Sequence, residues 1–183
     1  MISRFRPLVF KGGAVTRVIT ILMSFALSTL ALADRYSDCF QKIDIDQSIR
    51  GCTEIIERGE REEGGNLAQA YKTRGNISFA RGDYDRAIAD FDMAIEVRPK
   101  DAEAYVKRGT AHVSKDDYDR AIADFDRAIS LRPNRASVYT MRGHAHEKAG
   151  DKNQAIADYR KALEIDPTLQ VVKAALKRLG ATP

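Results

Sequence analysis

The chain has no tryptophan, five prolines and two cysteines among 183 residues. So little proline, with 44% hydrophobic and 31% charged residues, excludes a collagen-like or disordered chain and fits one helical globular unit. No acidic residue precedes Asp34, and Arg4, Arg6, Lys11 and Arg17 are the only charges before it. The uncharged run from Val18 to Ala33 has sixteen residues, short of the roughly 20 apolar residues that span a bilayer. A Gly-x-Ser-x-Gly elbow, a phosphate-binding loop, an EF-hand loop and a nucleophile with a placed base are all missing. The reading is therefore of a non-enzyme with no catalytic residue, no metal site and no cofactor.

The first residues form a targeting pattern. A basic start, an apolar stretch from Val18 to about Leu30 and the small-x-small triplet Ala31-Leu32-Ala33 predict a secretory leader over 1–33, cut before Asp34. Export is expected, with the periplasm as compartment, and membrane attachment only if the leader is retained. Removing the four basic residues leaves 26 basic against 26 acidic side chains. The basic character of the whole chain thus belongs to the precursor and argues against nucleic acid as a partner. In an oxidising compartment Cys39 and Cys52 are expected to form a disulfide. They lack Cys-x-x-Cys spacing and a nearby histidine, which speaks against redox or metal chemistry.

The dominant signal is internal repetition. The ten residues Asp83 to Asp92 recur letter for letter as Asp117 to Asp126, an offset of 34. The same offset relates Gly75, Gly109 and Gly143; Ala87, Ala121 and Ala155; Phe91, Phe125 and Tyr159; and Pro99, Pro133 and Pro167. Three repeats follow, 68–101, 102–135 and 136–169. Within them apolar residues such as Tyr118, Ala121, Ile122, Phe125 and Ala128 fall at three- and four-residue steps, the period of an amphipathic helix. Each repeat reads as two helices. The pairs Gly82-Asp83, Asp116-Asp117 and Gly150-Asp151 separate them, the second aspartate serving as N-cap, and Asp151 with Gln154 has capping-box spacing. The closing prolines stop the second helices. A glycine inside each first helix costs about 1 kcal/mol against alanine, so close approach of the partner helix at Ala87, Ala121 and Ala155 is expected.

These residues resemble the tetratricopeptide repeat family, a 34-residue helix-turn-helix unit with an aromatic, a glycine, alanines, a second aromatic and a closing proline. Tyr71, Tyr105 and Tyr139 stand where the family usually has tryptophan, and Arg74, Arg108 and Arg142 where a leucine is common. The resemblance implies an all-α, right-handed α-solenoid of antiparallel helix hairpins with three full repeats. Residues 34–67 are expected to form a degenerate N-terminal helical cap and linker, with a charged, glycine-bearing connector at 60–65. A C-terminal capping helix from about Thr168 to Leu179 and a tail complete the unit, at 170–183.

By the same resemblance the first helices line a concave groove walled by Lys72, Asn76, Phe79, Val106, Lys107, Thr110, Val113, Thr140, Met141 and His144. That mixture suits a peptide of another protein. One family subgroup grips a terminal carboxylate with lysines, asparagines and an arginine. Lys72 and Asn76 match its first two positions, whereas Lys107, Ser137 and Met141 depart from the rest. The repeated aspartates are read as helix caps and solvated faces. His144 and His146, two apart on a helix, point to different faces and share no ion. The expected function is an exported interaction scaffold or adaptor. The alternative is a self-associating structural component, or an accessory subunit of an envelope complex, and the oligomeric state is left open.

Overall fold

The computed structural model describes residues 36–40, 44–59 and 64–182. The expected leader, 1–33, lies outside them. A short helical stretch at 36–40 precedes eight helices: α1 (Ile45–Arg58), α2 (Gly64–Ala80), α3 (Tyr84–Val97), α4 (Ala102–Ser114), α5 (Tyr118–Leu131), α6 (Ala136–Ala149), α7 (Lys152–Ile165) and α8 (Gln170–Arg178). Among the described residues there is no strand, and consecutive helices pair as hairpins. This is the α-solenoid expected from the repeat. Gly64 and Gly65, expected in a connector, are instead the first residues of α2. No helix of the described residues is long and apolar enough to cross a membrane.

Local chemistry sets most helix ends. Asp83, Asp101 and Asp117 accept hydrogen bonds from backbone N–H groups of the first turns of α3, α4 and α5. Asp151 makes no such bond, so the capping box read at that site does not form. Its Oδ2 lies 3.6 Å from His146 Nδ1. The corner before the second helix needs a left-handed backbone, supplied by Gly82, by Gly150 and, in the middle repeat, by Asp116 at φ 58°. Aspartate is among the few non-glycine residues that adopt this conformation readily.

The helix glycines make room for rings. A Cβ on Gly75, Gly109 or Gly143 would lie 2.8, 2.9 or 2.9 Å from Cε1 of Phe91, Phe125 or Tyr159. Of the partner-helix alanines expected there, Ala121 is among the nearest neighbours at Gly109, its carbonyl oxygen at 3.2 Å. The glycine lets a large aromatic side chain be fully buried, worth about 1.5–3 kcal/mol for phenylalanine. That gain exceeds the intrinsic cost of glycine in a helix.

The arginines that depart from the family pattern organise a second layer of contacts. Arg108 Nε and Nη2 donate to Asp124 at 2.9 and 2.6 Å, and Nη1 reaches back to Asp92 of the preceding repeat at 2.6 Å. Arg142 does the same with Asp158 and Asp126, at 2.8, 2.6 and 2.5 Å. Arg74 grips Asp90 and donates Nη1 to Thr53 of α1 at 3.3 Å. Each guanidinium also sits 5.6–5.9 Å from the ring of Tyr71, Tyr105 or Tyr139. The two substitutions of the family pattern are therefore one unit, a cation over a ring. Asp90, Asp124 and Asp158 are buried partners in these bidentate pairs and not the solvated faces expected.

At the N-terminal end the Sγ atoms of Cys39 and Cys52 are 2.15 Å apart, at disulfide distance, inside a cluster with Ile55 and Ala70. At the other end Val172, Ala175 and Leu176 of α8 cover Tyr159 and Ala162. Arg178 Nε and Nη2 donate to Glu147 at 2.9 and 3.0 Å, which fastens α8 to α6. The same contact, with a hydrogen bond from Tyr159, holds the Glu147 carboxyl below its usual range.

Candidate functional site: the face of the first helices

The first helices of successive repeats, α2, α4 and α6, are neighbours and form one continuous face. Two hollows interrupt it. The C-terminal hollow, about 360 Å³, is lined by Thr110 and Val113 of α4, Thr140, Met141 and His144 of α6, and Val171, Val172, Ala175 and Arg178 of α8. Phe125 and Tyr159 form its floor. Two threonines that could present hydroxyls donate them to their own helices, Thr110 to Val106 O at 2.8 Å and Thr140 to Ala136 O at 3.0 Å. Their methyl groups are left for the cavity, which makes its wall apolar. Met141 and Val171 are 37% and 68% exposed, large apolar side chains open to solvent at the rim.

The N-terminal hollow, about 790 Å³, is lined by Gln69, Thr73, Asn76, Ile77 and Phe79 of α2, Lys107 of α4, and Phe40, Ile45 and Ser48 of the cap. Lys107 has no charged partner among the described residues. Eight of the ten groove residues named from the sequence line one hollow or the other. Val106 is half-buried against Ala121, Phe125 and their neighbours and lines neither.

Lys72 corrects the expectation. It is 7% exposed, with Nζ 2.9 Å from Asp101 Oδ2 and 3.1 Å from Glu103 Oε2. It braces α2 against the start of α4 and lines neither hollow. Burial alone would raise the Asp101 carboxyl, but the hydrogen bond and charge of Lys72 hold it below its ordinary value. A carboxylate clamp of the kind discussed above has lost its first lysine here. The residues that sequence reasoning missed are those of α8 and of the cap, whose periodicity was visible but whose placement beside the groove was not.

The histidines divide in the same way. His144 lines the C-terminal hollow, whereas His112 is buried, with Nδ1 3.8 Å from Asp117 Oδ2. Burial pushes the His112 imidazole below its ordinary value, against the pull of Asp124 and Asp117. His146 occupies the equivalent place one repeat on, with Nε2 3.9 Å from Asp158 Oδ2. Among the described residues no cluster of three metal-ligating side chains occurs.

No curated protein matches this chain. Among solved structures, the TPR domain of Arabidopsis OM64 is 25% identical, with a TM-score of 0.62 over 64% of this chain and 98% of that one. The second TPR domain of human RPAP3, solved in complex with the HSP70 peptide SGPTIEEVD, is 26% identical, with a TM-score of 0.62 over 66% of this chain and 100% of that one. MamA from Desulfovibrio magneticus RS-1 shares the fold at 19% identity, with a TM-score of 0.70 over 79% of each chain. Two family models, both described as Tetratricopeptide repeat, match residues 72–136 and 108–180. With three hairpins at the 34-residue period and these matches over 72–180, the chain belongs to the tetratricopeptide repeat family.

Proposed function

We propose that this protein is an exported interaction scaffold that holds a segment of another protein on the face of its first helices. The observation that carries the reading is the C-terminal hollow, an apolar cavity open at Met141 and Val171, two of the four large apolar side chains that stand exposed among the described residues. Exposed apolar cavities rimmed by polar groups are where partners bind. Support comes from the RPAP3 domains, solved with HSP90 and HSP70 peptides. With Lys72 committed to Asp101 and Glu103, selectivity here rests on an apolar anchor from the partner, with Lys107 and Asn76 as polar contacts further along.

Export is part of the same proposal, supported by the leader pattern over 1–33 and by the paired Cys39 and Cys52. Intact mass of the chain recovered from the envelope fraction should correspond to a start at Asp34. A photo-crosslinking residue at position 144, in the wall of the same hollow, should capture a partner in cells, and one at exposed Arg160 should not. Introducing Met141→Asp and Val171→Asp together, with helicity unchanged, should abolish capture. Undiminished capture would refute the assignment of the hollow. Light scattering that shows only monomer separates partner capture from self-assembly.

A further inference from the structure

The junction between the first and second repeats carries a polar constellation that the next junction lacks. The buried Lys72 ammonium and its partners Asp101 and Glu103 have as their equivalents, 34 residues on, Val106, Arg135 and Ser137. The second junction stacks without the ion pair, so the architecture does not require it. Burying a charge is costly even when it is paired, which makes an unrepeated buried pair in a repeated scaffold notable.

This ion pair forms the floor of a cleft of about 510 Å³ at the edge of the solenoid where the inter-repeat turns lie. Its other walls are Arg98, Pro99, Lys100 and Arg132. Arg98, Lys100 and Arg132 are exposed, and their side chains have no partner among the described residues. Four cations thus meet two carboxylates, both already engaged by Lys72, and the cleft keeps a surplus of two positive charges. That surplus is local, because the chain after residue 33 is balanced at 26 charges of each sign. It is also unrepeated: Lys100 and Arg132 have Asn134 and Asp166 as their equivalents.

We propose that this cleft is a second binding site, separate from the first-helix groove, for an acidic segment of a partner polypeptide. Arginine forks pair with carboxylates through two parallel hydrogen bonds, and a lysine between them adds an adaptable donor. The cleft is far larger than a single inorganic oxyanion. Pro99 and the aliphatic stems of the cations give it an apolar wall for the backbone and methylenes of a peptide. Its recessed floor suits a chain that lies in it better than a flat bilayer surface. A partner with a hydrophobic anchor and an acidic stretch would then engage groove and cleft together, at an effective concentration set by the linker between them.

The test is fluorescence anisotropy of the full chain with a labelled peptide carrying four consecutive glutamates. Arg98→Ala with Arg132→Ala, both exposed positions, should weaken binding by about tenfold or more and flatten its salt dependence. The charge-matched control Lys148→Ala with Arg160→Ala should bind as the unmodified protein does, as should Met141→Asp, which alters only the groove. Equal binding by the Arg98/Arg132 variant, or an equal loss in the matched control, would overturn the proposal. Tight binding of inorganic phosphate or of phosphatidylglycerol vesicles in place of the peptide would overturn it too.

Discussion

The internal repeat allows the Lys72 ion pair to be tested by transplanting this protein's own alternative. Replacing Lys72 by Val, the residue at the equivalent position 106, removes the ammonium and leaves Asp101 nearly buried without its cation. Breaking a fully buried pair costs about 3–5 kcal/mol. The figure is smaller here, because Asp101 still accepts the Glu103 N–H at 3.0 Å and Glu103 is half-exposed and can turn to water. Roughly 2 kcal/mol remains. For a domain of this size that is a fall in Tm of roughly 4–8 °C. Replacing all three residues, Lys72→Val, Asp101→Arg and Glu103→Ser, installs the set that already works at the second junction. No unpaired carboxylate is left, so the triple variant should return to within about 1 kcal/mol of the unmodified protein. Urea denaturation followed by far-ultraviolet circular dichroism measures both. The pH dependence adds a check. The Asp101 carboxyl is held below its ordinary value, so its contribution is complete above the unfolded-state value and is lost as pH falls through the folded one. The triple variant should show less acid destabilisation. A triple variant as unstable as the single one would refute the claim that the stack does not need the pair.

Two further outcomes follow from the packing. Gly109→Ala gains about 1 kcal/mol of helix propensity but sets a Cβ 2.9 Å from the fully buried Phe125 ring and 3.2 Å from a backbone oxygen. Overpacking of roughly 1–3 kcal/mol should win, and Phe125→Leu in the same chain should relieve part of it in a double-mutant cycle. A stabilised Gly109→Ala protein would contradict the ring-seat account. For His112, burial outweighs the pull of Asp124 and Asp117 and keeps the folded-state value below the unfolded one of about 6.5. The unfolded chain therefore binds more protons, and stability should fall as pH drops below about 6.5. In His112→Gln the same titration, read as urea midpoints from pH 7.5 to 5, should be flatter.

Much of this fold could be read from the chain because the repeat states it three times. The offset of 34, the capping aspartates and the closing prolines are local or periodic signals, and the helices start and stop close to them. What escaped depends on contacts between elements. Lys72 looks like any exposed helix lysine until Asp101 and Glu103, about thirty residues on, are brought beside it. The aspartates at 90, 124 and 158 were visible as a recurring set, and so were the arginines sixteen residues before each of them. That the two sets pair is decided by the hairpin geometry, and constant spacing between opposite charges in every repeat was the clue. In the groove, residues on the first helices followed from the period. The α8 side of the C-terminal hollow did not, because the amphipathic pattern of a terminal helix shows which side is covered and not what it lies beside.

The arginine ladder has a mechanical consequence. Each rung ties the first helix of one repeat to the second helix of its predecessor, and so resists rotation of one hairpin against the next. Two rungs close on carboxylates, Arg108 on Asp92 and Arg142 on Asp126, while the first closes on the neutral hydroxyl of Thr53 at a longer distance. Charge-assisted bonds are roughly twice as strong as neutral ones. The ladder is thus uneven, charged across the second and third joints and neutral across the first, where the exposed Arg81–Asp46 pair at 2.8 Å supplies the charge-assisted tie between cap and repeat instead, beside the larger hollow.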